Sequence, residues 1–249
     1  SNVQRPNVNP LIINGDMAIS QRSTSVTGIT SGGGGYNTVD RMRDWLGTVG
    51  TWTTTQEALT ADEAYEDGFS TALKWDCTTA NASLSAGSYF IIEQQLEAQN
   101  LQLLKFGTSN AEKLTLAFWV KSTKTGTFIA EMWRQDSNRY CSTAYTVSST
   151  NTWEKKVVAF PADTTGAITD DSGAGITLSF WVAAGTDYTS GTLTTSWTAA
   201  AAAANRAVGQ VNIADSTSNN FHMTGLQLEV GEYTSATIPP FQHESHGEN

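Results

Sequence analysis

The sequence is short of most features that place a protein quickly. It has two cysteines, three histidines and five prolines in 249 residues, and only 15% of its residues are charged. Two cysteines, Cys77 and Cys141, allow one disulfide at most, which excludes a disulfide-stapled scaffold. Two buried thiols acting as small hydrophobes are the simpler expectation. Lys and Arg number 14 against 24 Asp and Glu, giving a net charge of −10, and no basic run offsets it. Such a chain repels polyanions, so no nucleic-acid partner is expected. No apolar run reaches the length of a membrane span, so no membrane insertion is expected either. The opening SNVQRPNVNP lacks the apolar stretch of an export signal. Scarce Glu, Lys and Arg also argue against long surface helices.

What is present fits short strands joined by turns rich in Gly, Ser and Thr. Residues 1–10 are polar, contain two prolines and read as an arm or linker. A first strand is expected at 11–13, closed by the turn pair Asn14-Gly15, and a flexible loop at 20–36. Order resumes at 39–45. Further strands are expected at 49–55, 72–76, 89–96, 114–122, 126–135, 140–147, 154–160, 176–183 and 221–230. An acidic loop or short helix falls at 58–68, and a short helical segment leads to Leu104. Strands at this spacing indicate an all-β sandwich or jelly roll over 11–238, with 239–249 as a tail.

Two stretches nearly repeat, LTLAFWV at 114–120 and ITLSFWV at 176–182. Period-two alternation puts Leu114, Leu116, Phe118 and Val120 on one face, and Ile176, Leu178, Phe180 and Val182 on another. Both sets are expected to line the core between two sheets. Trp119 and Trp181 then point outward.

Several stretches resemble a known family. NPLIINGDM at 9–17, YNTVDR at 36–41, LTLAFWVKS at 114–122, the closing segment 205–231 ending GLQLEVG, and PPFQHE at 239–244 are together similar to jelly rolls of bacteriophage tail fibres and related virion proteins. Those jelly rolls are like carbohydrate-binding modules, in the galactose-binding-like class. The resemblance implies a jelly-roll β-sandwich in an extracellular virion, assembled in the host cytoplasm as part of a homotrimer. Its expected partners are a host cell-surface polysaccharide and other virion proteins. It also implies a structural calcium near the chain start, with Asp16 the natural first ligand. Where related modules bring an Asp pair, however, this chain reads Met223-Thr224-Gly225-Leu226. The alternative is that Asp16 caps a turn through its side chain.

Sugars present apolar C–H faces and a rim of hydroxyls, which aromatic rings and polar side chains can meet together. The segment 132–140 offers both types. Trp133 and Tyr140 are candidate platforms, and Arg134, Gln135, Asn138 and Arg139 are candidate hydrogen-bonding groups. Trp45, Trp52, Trp119 and Trp181 are further candidates, against the alternative that they pack inside. Catalysis is not expected. Glu93 and Glu97 are spaced to pair only on a helix, and neither G-x-S-x-G nor H-E-x-x-H occurs. His243-x-x-His246 stands without further ligands, and His222 reads as structural. The function expected is non-catalytic recognition of a host glycan. The alternative is a structural or decoration protein whose jelly roll serves assembly.

Overall fold

The computed structural model describes residues 10–243. Twelve strands among these residues form two six-stranded sheets. The first runs in the order β1 (Ser25–Ile29), β3 (Thr51–Ala58), β4 (Thr71–Thr79), β12 (Asn220–Val230), β6 (Leu114–Ser122) and β9 (Glu154–Phe160). The second runs β11 (Thr198–Ala199), β8 (Arg139–Val147), β7 (Gly126–Arg134), β10 (Ala174–Ala184), β5 (Tyr89–Glu97) and β2 (Arg43–Gly47). Every pairing is antiparallel. The chain crosses between sheets repeatedly, as from β5 to β6 and from β9 to β10, which makes the fold an all-β jelly-roll sandwich. Two single-turn helices, α1 (Glu63–Glu66) and α2 (Thr186–Thr189), and short 3₁₀ turns complete the described elements.

The paired FWV strands form the centre. Leu114, Leu116, Phe118 and Val120 on β6, and Ile176, Leu178, Phe180 and Val182 on β10, all belong to one buried cluster. The two faces meet at Phe118 and Phe180, whose ring centroids lie 5.0 Å apart, edge to face. Trp52 also joins this core and packs on Phe90 from the opposite sheet, at 4.8 Å. Cys77 and Cys141 are both free and buried.

Two local expectations are corrected. Residues 11–13 form bends rather than a strand. The Gln94 side chain accepts from the Ile13 N–H and donates to the Ile13 carbonyl, at 3.1 and 2.9 Å, so a side-chain amide supplies the bonds a neighbouring strand would. The loop expected at 20–36 contains β1, which extends the first sheet by pairing with β3.

Each sheet carries a second, smaller apolar layer on its outer face. On the first sheet, Leu59, Ala64, Phe69, Ala72 and Trp153 cluster beneath α1. The expected tail returns to this layer. Phe241 meets Phe69 edge to face at 4.9 Å, and Gln227 donates to the Pro239 carbonyl at 3.0 Å. On the second sheet, Ile91, Ile129, Trp181 and Ala207 cluster beneath α2. Residues 1–9 of the expected arm and 244–249 of the tail, His246 included, lie outside the described residues.

Candidate functional site

Cross-strand register places three rows of outward side chains on the second sheet. The first row runs Gln95, Thr177, Trp133, Tyr140 and Thr198. The next runs Arg43, Glu93, Ser179, Glu131 and Ser142. The third contains Trp45, Ile91 and Trp181. Between them opens a cleft of about 420 Å³. Ser179 and Ile91 line it, with Arg43, Trp45 and Glu93 on the β2 side and Trp133, Tyr140 and Arg206 opposite. Tyr89 and Tyr188 complete it, over the buried Trp181.

On the β2 side, Oε1 of Glu93 accepts from Arg43 Nε at 2.8 Å and from the Trp45 indole N–H at 2.8 Å. The Arg43 guanidinium lies 4.8 Å from the Trp45 ring centroid, within cation–π range. Trp45 is thus held from two directions while 42% of its surface stays exposed. A large ring held in place yet open to water is what a platform for an apolar ligand face requires.

On the opposite side, Trp133 and Tyr140 face each other across β7 and β8, with ring planes 4° apart and centroids at 5.7 Å. The Trp133 indole N–H donates to Asn138 Oδ1 at 3.3 Å, from the hairpin turn where Asn138 takes a left-handed φ of 46°. Arg206 stacks over Tyr140 at 4.6 Å and over Trp181 at 5.3 Å. Its Nε donates to Glu131 Oε2 at 2.9 Å. Glu131 is fully buried. Burial pushes its carboxyl above the usual range, opposed by Arg206, Ser142 and Trp181. This ion pair ties the cleft wall to β7, and the chain at Arg206 is joined to α2 by the Ala207 N–H donating to the Tyr188 carbonyl at 2.9 Å.

The six residues expected at 133–140 separate into two groups. Trp133 and Tyr140 line the cleft. Gln135 lies beside it, donating to Thr177 Oγ1 at 2.9 Å, and Asn138 positions the Trp133 indole. Arg134 and Arg139 are corrections. Arg134 is fully buried. It pairs with Asp163, donates to the Thr165 carbonyl at 3.0 Å, and lies 5.0 Å from the Phe106 ring centroid. Arg139 binds the same carboxylate through Nε and Nη2, at 2.7 and 3.0 Å. Both carry inward parity and oppose each other in register. Phe128, Ala130, Met132 and Arg134 share one face of β7, and Trp133 the other.

Of the other tryptophans, Trp52 is in the core. Trp119 lies on the outer face of the other sheet, donating to Asp67 at 3.0 Å. Trp181 does face the cleft side, but Tyr188 and Ala207 cover it and no surface remains exposed. Glu93 and Glu97 share a strand face instead of a helix face. Sequence reasoning missed Arg43, Tyr89, Ser179, Tyr188 and Arg206. For Tyr89 the parity of β5 was a usable signal; for Arg206, in irregular chain, there was none. His222 is buried between Glu57, at 2.7 Å, and Asn220, at 3.0 Å, as a structural histidine.

The residues around Asp16 do not fit the implied calcium. Its carboxylate accepts from His243 at 3.1 Å and from the Ala18 N–H at 3.4 Å. Its carbonyl accepts from the Thr71 and Thr224 hydroxyls, at 2.8 and 3.3 Å. The Leu226 N–H closes on the Gly15 carbonyl at 2.9 Å. Direct hydrogen bonds therefore join chain start and late strand where a hard cation would need six or more oxygens. Among the described residues no group of three His, Cys, Asp or Glu comes together in a metal-binding arrangement.

No protein-family model matches the chain, and no curated protein does. Among solved structures it is similar to the enzymatically active domain of bacteriophage CBA120 tailspike protein 4, with a TM-score of 0.42 and 11% identity, covering 89% of this chain and 21% of that one. The chain therefore spans about a fifth of the tailspike chain. It is also similar to a putative sugar binding protein from Bacteroides thetaiotaomicron, with a TM-score of 0.44 and 12% identity, covering 89% of this chain and 100% of that one. A third similarity is to the family 11 carbohydrate-binding module from Clostridium thermocellum in complex with a mixed-linked tetrasaccharide. Its TM-score is 0.39 at 11% identity, covering 78% of this chain and 89% of that one. These are likenesses of fold alone.

Proposed function

We propose that this domain binds a polysaccharide without cleaving it, in the cleft on the outer face of the second sheet. The observation that carries the reading is the meeting of Trp45 and the Trp133–Tyr140 pair across an open cleft that also holds the Arg43–Glu93 and Arg206–Glu131 pairs. Rings cover the C–H faces of sugars, and the remaining donor and acceptor sites of the paired ions meet hydroxyls. The same pairs support a non-catalytic role. Glycoside hydrolysis needs one carboxyl free to give a proton and another free to act as base or nucleophile. Here Glu131 is sealed under Arg206, and Glu93 is engaged by Arg43 and Trp45. The sequence resemblance extends the proposal to a phage tail fibre, with a host surface polysaccharide as ligand and a homotrimer as assembly.

Affinity electrophoresis against xylan, mixed-linkage β-1,3-1,4-glucan, β-1,4-galactan and host polysaccharides tests the binding, with a reducing-end assay beside it. Trp133→Ala removes an aromatic platform and is expected to cost ~2 kcal/mol, about 30-fold in affinity, with no sugar release from the unaltered protein. Retention of every polymer by Trp133→Ala and Trp45→Ala alike, or release of reducing ends, overturns the reading.

A further inference from the structure

Beyond Gln95 the same sheet face holds a second, smaller hollow of about 160 Å³, lined by Tyr36, Arg41, Gln95, Glu97, Ser172 and Ala174. It lies next to the cleft along β5. On β5, Glu93 lines the cleft and Gln95 and Glu97 line the hollow. Along the chain entering β2, Arg43 lines the cleft and Arg41 the hollow. Residues two apart on a strand share a face and lie roughly 7 Å apart. From Tyr89 to Glu97, the outward face of β5 therefore offers a track of roughly 26 Å, several sugar units long. Tyr36 stands at the junction, with the Arg43 guanidinium 5.9 Å and the Arg22 guanidinium 5.4 Å from its ring centroid.

The chemistry of the hollow suits hydroxyls. The half-buried Gln95 amide makes no side-chain hydrogen bond among the described residues, which leaves both its donor and its acceptor for a ligand. Arg41 and Glu97 approach at 3.8 Å, with the Arg41 side chain half exposed and the Glu97 side chain partly exposed, and Glu97 Oε2 also accepts from Gln99 at 2.9 Å. Their charges offset each other, so neither sign is favoured in the ligand. We propose that this hollow is a distal subsite that takes a further uncharged sugar unit of the chain held in the cleft. The inference rests on the polysaccharide-binding reading above and assigns the direction of the bound chain, along β5 from Tyr89 toward Glu97.

Calorimetry with trimers and hexamers of β-1,4-xylose, β-1,4-galactose and mixed-linkage glucose tests it. The hexamer that binds is expected to bind about tenfold tighter than its trimer, an increment of one or two hydrogen bonds. Gln95→Ala and Arg41→Ala, each with an unchanged melting temperature, are expected to bring the hexamer down to the trimer's affinity and leave the trimer unaffected. Trp133→Ala weakens both lengths. Equal affinity for trimer and hexamer, or a hexamer indifferent to Gln95→Ala and Arg41→Ala, overturns the distal subsite and leaves the cleft standing. Failure of all the ladders to bind the unaltered protein overturns the cleft reading and the subsite with it.

Discussion

Asp163 is the hinge of a test that separates the buried arginine from the binding face. It accepts from Arg139 through two nitrogens and from the Thr165 N–H at 3.1 Å, and it is the carboxylate that faces the fully buried Arg134. Asp163→Ala leaves the Arg134 charge in the core without a counter-ion. Removing one partner of a buried pair costs about 3–5 kcal/mol. Arg134→Met is gentler, because Asp163 keeps both bonds from Arg139 and the Met side chain fills part of the space beside Phe106. Its cost is set by the lost bonds to Asp163 and to the Thr165 and Gly166 carbonyls, about 1–2 kcal/mol after the gain from desolvating no charge. For a domain of this size each kcal/mol moves the melting temperature by roughly 2–4 °C. Asp163→Ala is thus expected to fall by roughly 10 °C and Arg134→Met by less than half as much. Thermal unfolding measures these shifts, and urea unfolding the free energies behind them. Glycan affinity of Arg134→Met should match the unaltered protein, since its side chain lies inside the sandwich. A variant that melts normally but no longer binds would return Arg134 to the ligand and refute the burial argument.

Two further outcomes follow from buried titrating groups. Burial raises the Asp44 carboxyl to about 6, against hydrogen bonds from Asn37 and Trp75. Between about 4 and 6 the folded state then holds a proton at Asp44 that the unfolded chain has released, so the contribution of Asp44 to stability is fully present below that window and is lost as pH rises through it. A shift of about two units at 1.36 kcal/mol each corresponds to ~3 kcal/mol; in urea unfolding from pH 4 to 8, the unaltered protein should lose about that much more stability than Asp44→Asn does. An identical slope in the variant would remove Asp44 as its source. Burial also pushes the thiols of Cys77 and Cys141 up to about 11 and about 12. Both should resist a disulfide reagent at pH 8 until denaturant is added, and rapid labelling of the native protein would contradict their placement.

Much of the fold was legible because strand periodicity is a local property. The alternation in 114–120 and 176–182 identified the two core faces, and the structure joins them at Phe118 and Phe180. The same rule, applied to 128–134, would have sent Arg134 inward and Trp133 outward. Counting polar types within 132–140 hid this, since a charged residue is ordinarily expected outside. Residues 11–13 misled for a different reason: their apolar character is real, but the backbone of Ile13 bonds to the side chain of Gln94 and not to a neighbouring strand.

Local alternation determined the all-β character, most strand positions and the inward faces, because each depends on residues two apart in the chain. The cleft depended on contacts between distant segments. Arg43 meets Glu93 across 50 positions, and Arg206 meets Glu131 across 75. Which tryptophan stays open was likewise decided in three dimensions: Trp181 has the outward parity of Trp45, yet Tyr188 and Ala207 close over it while Trp45 stands at the sheet edge. A residue's face follows from its neighbours in sequence, but its exposure follows from whatever later chain folds across it.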